Sequence, residues 1–177
     1  MLINEVKNEL ENHIIPFWDA LRDDEFGGFY GQMDNDLNLD KKGGKGVILN
    51  SRILWFYSSV YRTIGGEKNL DNAKHAYEFL KNHCVDRENG GVYWMMNYDG
   101  TVMDSMKHTY NQAFAIYALS TYYLACKDKE ALDLAFELFN TVEEKCTDDV
   151  AYMEAFDKNW KPVSYTHLRA HETTLHL

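Results

Sequence analysis

The chain has 177 residues, 45% of them hydrophobic and 14% aromatic, which is enough for the core of one domain and excludes a disordered protein. Its 28 acidic and 18 basic residues give a formal charge of -10, which opposes binding to a phosphate backbone and favours a neutral ligand. No stretch approaches the ~18 apolar residues of a membrane span, and the widely spaced Cys84, Cys126 and Cys146 suit reduced thiols, so we expect a cytoplasmic protein with no nucleic acid or membrane partner.

Apolar residues at helical spacing predict five helices, over residues 3 to 22, 47 to 64, 70 to 84, 108 to 126 and 129 to 145. The first contains Pro16, a residue type that kinks helices. The second is followed by Gly65 and Gly66, where glycine can adopt the left-handed conformation that ends a helix. Between these two helices, the turn-rich stretch "DDEFGGFYGQMDNDLNLD" predicts a loop with a small hairpin.

This loop is repeated along the chain. Residues 86 to 104, "DRENGGVYWMMNYDGTVMD", match residues 23 to 40 at a constant offset of 63, including both glycines. A third, degraded copy, "YMEAFDKNWKPV", starts at Tyr152. The repeating unit is thus a surface helix, a hairpin loop and a buried aromatic-rich helix, with a period of ~60 residues.

Helical pairs that repeat in this way stack so that each covers its neighbour's exposed face. The inner helices are almost entirely apolar, which favours a closed ring over an open solenoid. We therefore predict an all-α fold of the (α/α)6-barrel type, truncated to about three helical hairpins with short β-hairpin loops. Residues 1–163 would form this part of the ring, and a complete ring requires more chain.

The last fourteen residues, "SYTHLRAHETTLHL", break the pattern. His167 and His171 are spaced i and i+4, as zinc ligands on one helix face are, but the glutamate of an HExxH motif is absent. The stretch is more similar to the translated adapter-like tails of truncated gene sequences. We therefore expect residues 164–177 to be a non-native tail and leave them out of the fold.

Polar residues at the beginnings of the inner helices are candidates for a ligand site. Arg52, in "LNSRILWF", and His108, Tyr110 and Asn111, in "KHTYNQAF", follow equivalent loops and should lie at the same rim, as should Gln112. Hydroxyl, amide and imidazole groups beside aromatic rings suit a sugar. Two structural alternatives stay open: Arg52 could be buried and paired with Asp24 or Glu25, and His108 could be a capping or core residue.

Five stretches carry a family resemblance: "HIIPFWDALRDDEFGGFYG", "DKKGGKGVILNSRILWFYSSVYR", "NAKHAYEFLKNHC", "GGVYWMM" and "MKHTYNQAFAIYALSTYY". On these residues the chain resembles the amino-terminal part of cellobiose 2-epimerases, in the N-acylglucosamine 2-epimerase superfamily. The resemblance implies an (α/α)6 barrel that interconverts glucose and mannose at the reducing end of β-1,4-linked disaccharides. It also implies that no metal or redox cofactor takes part.

The resemblance assigns roles to two of the candidates. Arg52 matches the family's arginine, a cation that can stabilise the ene-diolate formed during epimerisation at C2. Tyr110 matches a tyrosine that contacts the sugar. The family's histidines that carry protons have no counterpart in residues 1 to 163, so we expect this chain to be inactive by itself.

Two other functions remain as alternatives. An inverting glycoside hydrolase of the same fold would need two carboxylates about 6.5–9.5 Å apart, with candidates Asp24, Glu25, Asp86 and Glu88. Because these acids recur between repeats, they are better explained as loop-forming residues. The third possibility is a non-catalytic, sugar-binding helical array.

Overall fold

A computed structural model describes residues 2–163. The proposed boundary after residue 163 and the histidines of the tail lie outside the described residues. The described helices are α1 (Leu2–Glu9), a π-helical turn (Leu10–Ile14), α2 (Ile15–Asp19), α3 (Val47–Ile64), α4 (Glu67–Phe79) with a π-helical turn (Leu80–Cys84), α5 (Thr109–Cys126) and α6 (Lys129–Lys145). None of them combines the length and hydropathy that a membrane crossing requires.

The first helix differs most from its predicted bounds. It ends at Asp19 rather than at residue 22, because Arg22 already pairs with Phe29 in the following hairpin. A π-helical turn precedes Pro16, which has no backbone N–H to donate to the preceding turn. The predicted bounds of α3 and α6 are confirmed, and α5 begins one residue later than predicted. The third predicted helix begins at Glu67, three residues early.

The helices form an inner and an outer layer. α3 packs against α5, while α4 and α6 pack against α3 and α5 respectively. Two contacts between the inner helices join residues 62 positions apart in the sequence: Arg52 with Phe114 and Trp55 with Tyr117. A constant offset of this kind is what two parallel helices in the same register produce. The core between the layers contains the fully buried Leu54, Tyr57, Leu80, Leu119 and Leu138.

Short strands connect the loops that precede the inner helices. β1 (Lys45–Gly46), β2 (Met95–Met96) and β3 (Val102–Asp104) form an antiparallel sheet in the order β1-β2-β3, with Lys45 opposite Met96. β4 (Lys107–His108) pairs with β5 (Ala155–Phe156). The loops therefore lie together at one end of the helices, so the beginnings of α3 and α5 share a rim, as the repeat predicts.

Each of the two complete loops contains a buried lysine–aspartate pair that sequence analysis missed. Nζ of Lys45 lies 2.6 Å from Oδ2 of Asp23, and Nζ of Lys107 lies 2.8 Å from Oδ2 of Asp86. Each lysine also donates to a glycine carbonyl of its own loop. The four side chains are at most 1% exposed. The repeat therefore extends to a charged contact that closes each loop.

Acid is expected to destabilise the chain through Asp86. Burial alone would raise the pKa of Asp86, but hydrogen bonds from Lys107 and from the backbone N–H of Asn89 outweigh it and lower the pKa to about 2. Since the folded pKa lies below the unfolded value, this stabilisation is complete above about pH 4 and is lost as the pH falls through about 2. The free energy of unfolding should fall by about 2 kcal/mol over this pH range. A decrease in the midpoint of urea denaturation measures this loss.

The Asp86→Asn variant should lack this part of the acid dependence, although it is less stable at neutral pH. Asp133→Asn, at an exposed carboxylate on α6, is the matched control and should keep the wild-type profile. Identical acid profiles for the two variants would contradict the prediction.

Candidate functional site

Arg52 lies on the uncovered side of α3. The alternative that Arg52 is buried is wrong, because its side chain is exposed. The alternative pairing with Asp24 is also wrong, since Asp24 accepts from Nε of Arg22 at 2.6 Å. Within residues 2–163, no carboxylate forms an ion pair with Arg52, and its guanidinium carbon lies 6.0 Å from the centre of the Phe114 ring.

A hollow lies beside this guanidinium. The cavity has a volume of about 240 Å³ and is lined by Trp18, Leu49, Arg52, Ile53, Trp55 and Phe56. Arg52 gives the cavity lining a positive charge. The indole rings of Trp18 and Trp55 and the phenyl ring of Phe56 supply much of the remaining lining. Such a lining suits a ligand with both hydroxyl groups and apolar C–H faces.

Phe114 connects Arg52 to a group of aromatic rings at the beginning of α5. The ring centres of Tyr110 and Phe114 are 6.2 Å apart, as expected for side chains at i and i+4 of a helix. Tyr110 also lies 5.8 Å from Trp94 and 6.2 Å from His108. We call Trp94, His108, Tyr110 and Phe114 the rim cluster. Its contact with Arg52 through Phe114 brings together three of the residues that the sequence placed at one rim, namely Arg52, His108 and Tyr110.

His108 is half-buried against the indole of Trp94, with ring centres 4.2 Å apart. It occupies the position before the first residue of α5, but its side chain makes no capping hydrogen bond, so the capping alternative is wrong. Burial lowers the pKa of His108 below its ordinary value, against the opposing influence of Glu154 and Asp104. The imidazole is therefore neutral at pH 7 and can both donate and accept a hydrogen bond.

The side chain of Asn111 is buried between α5 and the loop, which corrects its assignment as an exposed ligand contact. It is fully buried, and its Nδ2 donates to the carbonyl of Tyr93 at 2.7 Å. Gln112 is buried beside it and exchanges two hydrogen bonds with the backbone of Val92. Successive helical residues point about 100° apart, so residues adjacent to Tyr110 cannot share its direction. Both amides hold the loop against α5.

The acids of the hydrolase alternative have structural partners or lie on outer loops. Asp86 is buried against Lys107, and Glu88 forms an ion pair with Lys158 at 2.9 Å. Asp24 pairs with Arg22, and Glu25 is exposed in the same turn. None of the four lines the hollow beside Arg52. The described residues therefore favour the loop-forming role.

Sequence analysis missed two residues of the rim cluster. Phe114 stands 62 positions after Arg52, one fewer than the offset of 63 between the loops, so the repeat gave only an approximate signal for it. Trp94 comes three residues after the glycine pair of its hairpin loop, within a run of apolar residues. This run does not show which neighbours the indole ring contacts. Its position became visible only with the hairpin folded against α5.

A second open surface lies between α5 and α6. A groove of about 570 Å³ there is lined by residues that include Tyr110, Tyr117, Phe139, Glu143 and Tyr152. The repeat explains why this surface is apolar. Leu54 and Ser58 of α3 are fully buried, whereas their counterparts 62 positions later, Ile116 and Ser120, line the groove. The groove thus has the surface against which a further inner helix of the repeat would pack.

Comparisons with known proteins agree with this geometry. The sequence model of the family described as N-acylglucosamine 2-epimerase (GlcNAc 2-epimerase) matches residues 28–177. A cellobiose 2-epimerase of Ruminococcus albus is 63% identical over 163 residues, which are 92% of this chain and 42% of that protein. The chain thus spans about two fifths of the length of this curated relative.

Solved structures give the same result for the fold. The structure of a sugar epimerase from a ruminal bacterium has a TM-score of 0.92 at 61% identity and covers 94% of this chain and 43% of its own. The cellobiose 2-epimerase of Bacillus thermoamylovorans B4167 has a TM-score of 0.90 at 41% identity, covering 98% and 45%. The predicted fold class, part of an (α/α)6 barrel, is confirmed.

Proposed function

The chain belongs to the N-acylglucosamine 2-epimerase family, and from this we propose that residues 1–163 form the amino-terminal part of an enzyme that epimerises disaccharides. The substrates would be β-1,4-linked disaccharides such as cellobiose and lactose, with C2 of the reducing-end glucose as the reacting carbon. The observation that carries the proposal is Arg52, a cation without a carboxylate partner in residues 2–163, beside a hollow and the aromatic rim cluster. Relatives named cellobiose 2-epimerase support the choice of disaccharide.

The proposed reaction explains why a permanent cation lies there. Removal of the C2 proton of the ring-opened sugar sends the C–H electron pair toward the C1 aldehyde, and negative charge develops on oxygen in the resulting ene-diolate. The guanidinium of Arg52 stabilises that charge as a cation placed beside the developing oxyanion. Return of a proton to the opposite face of C2 completes the epimerisation.

The rim cluster would bind the sugar rather than react with it. Pyranose C–H faces pack on aromatic rings, and the rings of Trp94 and Phe114 are available beside Tyr110. The Tyr110 hydroxyl and the neutral His108 imidazole can form hydrogen bonds with sugar hydroxyls. Asn111 is not part of this proposal as a ligand contact, because its side chain is buried.

The described residues supply no pair of proton carriers for this reaction. The imidazole of His75 contacts the carbonyls of Asp23 and Gly28, and that of His83 contacts the carbonyl of Gly100. His13 lies beside Glu9 on the first helix. Among the histidines of residues 2–163, His108 is therefore the remaining candidate for proton transfer. Epimerisation needs proton transfer on both faces of C2. We therefore propose that the 177-residue chain does not turn over substrate by itself.

The test is a comparison of two polypeptides in an NMR assay of lactose conversion to epilactose. The first is the 177-residue chain, which should show no turnover above a heat-killed control. The second is a chimera in which residues 1–163 are continued by the carboxy-terminal part of the Ruminococcus albus relative, and it should form epilactose. An inactive but folded chimera would refute the proposed function, and turnover by the 177-residue chain would refute its inactivity.

The same assay separates the alternatives. Free glucose released from cellobiose by the chimera would indicate a hydrolase. Cellobiose binding measured by calorimetry without any turnover would indicate a non-catalytic, sugar-binding protein.

A further inference from the structure

We propose that Asp86 and Lys107 are positioning residues for the rim cluster: their buried contact fixes His108 and Tyr110 relative to Trp94. The inference rests on the proposed function only in naming a sugar as the ligand of that cluster.

The position of the pair in the chain is the first observation. Asp86 begins the hairpin loop that carries Trp94, and Lys107 ends it, directly before His108. The contact between the two side chains spans 21 positions in the sequence. It therefore joins the two ends of one loop, and the rings that meet in the rim cluster lie within that loop or directly after it.

The contacts of the pair define its geometry closely. Nζ of Lys107 lies 2.8 Å from Oδ2 of Asp86 and also donates to the carbonyl of Gly90. Oδ1 of Asp86 accepts from the backbone N–H groups of Glu88 and Asn89, each at 3.0 Å. Both carboxylate oxygens are thus used, and the loop cannot shift without breaking a charged hydrogen bond in a buried site.

Trp160 covers the pair from the third loop. Its ring centre lies 4.7 Å from Nζ of Lys107, and its Nε1 donates to the carbonyl of Asn89 at 2.8 Å. The ammonium group therefore meets a carboxylate, a carbonyl and the face of an indole. This arrangement specifies one position for Lys107 and so for the adjacent His108.

The pair in the preceding repeat provides a matched comparison. Asp23 and Lys45 have the same residue types, the same burial and a glycine carbonyl as third partner. Their loop precedes α3 and carries none of the four residues of the rim cluster. The single control variant is made at Asp23, the counterpart of Asp86 in the repeat.

The test uses the tryptophan fluorescence of the 177-residue chain, to which Trp94 contributes as the indole in contact with His108. A protonated imidazole in contact with an indole quenches its emission, so the wild type should show an emission step below the ordinary His108 pKa of 6.5. The titration runs from about pH 8 to about pH 5, and the His108→Gln variant identifies the step. Glu154 and Asp104 are the charged groups that act on this imidazole, so a change at Asp86 reports position rather than a lost charge.

Asp86→Asn should lose the step or move its midpoint toward 6.5, whereas Asp23→Asn should keep the wild-type step. Equal behaviour of the two variants would overturn the inference, as would a wild-type chain with no step that depends on His108. If either single variant fails to fold, double variants replace each pair by apolar residues: Asp86→Leu/Lys107→Met and Asp23→Leu/Lys45→Met. The first should lose or shift the emission step, and the second should keep it. Failure of the proposed function would be seen in a different experiment. There, a folded chimera with wild-type residues 1–163 would form no epilactose.

Discussion

Arg52→Ala in the chimera is expected to lower kcat for epilactose formation by about 10²–10³-fold, the cost of removing one stabilising group from a developing oxyanion. The loss should appear mainly in kcat, because the charge that Arg52 meets develops in the transition state rather than in the bound sugar. Arg52→Lys should be intermediate, since an ammonium keeps the charge but not the planar pair of donors. Steady-state kinetics by NMR or by a coupled sugar assay measures both.

Arg62→Ala is the matched control for this prediction. Arg62 is an exposed arginine of the same helix, ten residues after Arg52, and so about 15 Å further along the axis. Its loss should leave kcat unchanged. The thermal midpoints of both variants should stay close to that of the wild type, because both side chains are exposed. A wild-type kcat in Arg52→Ala would remove the basis of the proposed mechanism.

Lys45→Met is expected to lower the free energy of unfolding by about 3–5 kcal/mol, because it leaves the carboxylate of Asp23 buried without its cation. Asp23 is fully buried, and burial would raise its pKa, but hydrogen bonds from Lys45 and from backbone N–H groups outweigh it and lower the pKa. Without Lys45, the Asp23 carboxyl is either buried as an unpaired charge or protonated, and both cost free energy. Urea denaturation followed by circular dichroism at pH 7 measures the loss.

Two controls distinguish the effect of burial on this ion pair from the effect of removing a lysine charge. Lys129→Met removes an ion pair of similar length, 2.9 Å, whose side chains are exposed, and should change the urea midpoint only slightly. The double variant Lys45→Met/Asp23→Leu should recover most of the lost stability, because apolar residues of similar volume often replace a buried ion pair without cost. If Lys45→Met costs no more than Lys129→Met, the buried pair does not stabilise the loop.

The periodicity of the sequence was sufficient to predict the arrangement of the helices. α3 and α6 have the predicted bounds because their apolar faces and their end signals agree: Gly65 adopts a positive φ at the end of α3, and Asp128 accepts two backbone hydrogen bonds at the start of α6. The repeat also predicted that the beginnings of the inner helices share a rim. These are local patterns, and local hydrogen bonding and side-chain spacing determine them.

Only the tertiary structure decided where the polar residues of the site lie. Arg52 is exposed and Asn111 is buried, the reverse of what their neighbours in the sequence suggested, because the side of an inner helix that is covered depends on which helices pack beside it. The buried pairs are a second example, since Lys45 meets Asp23 across 22 positions. Spacing along the chain determines which face of a helix a residue lies on, but contacts between distant segments determine whether that face meets solvent, a charge or a ligand.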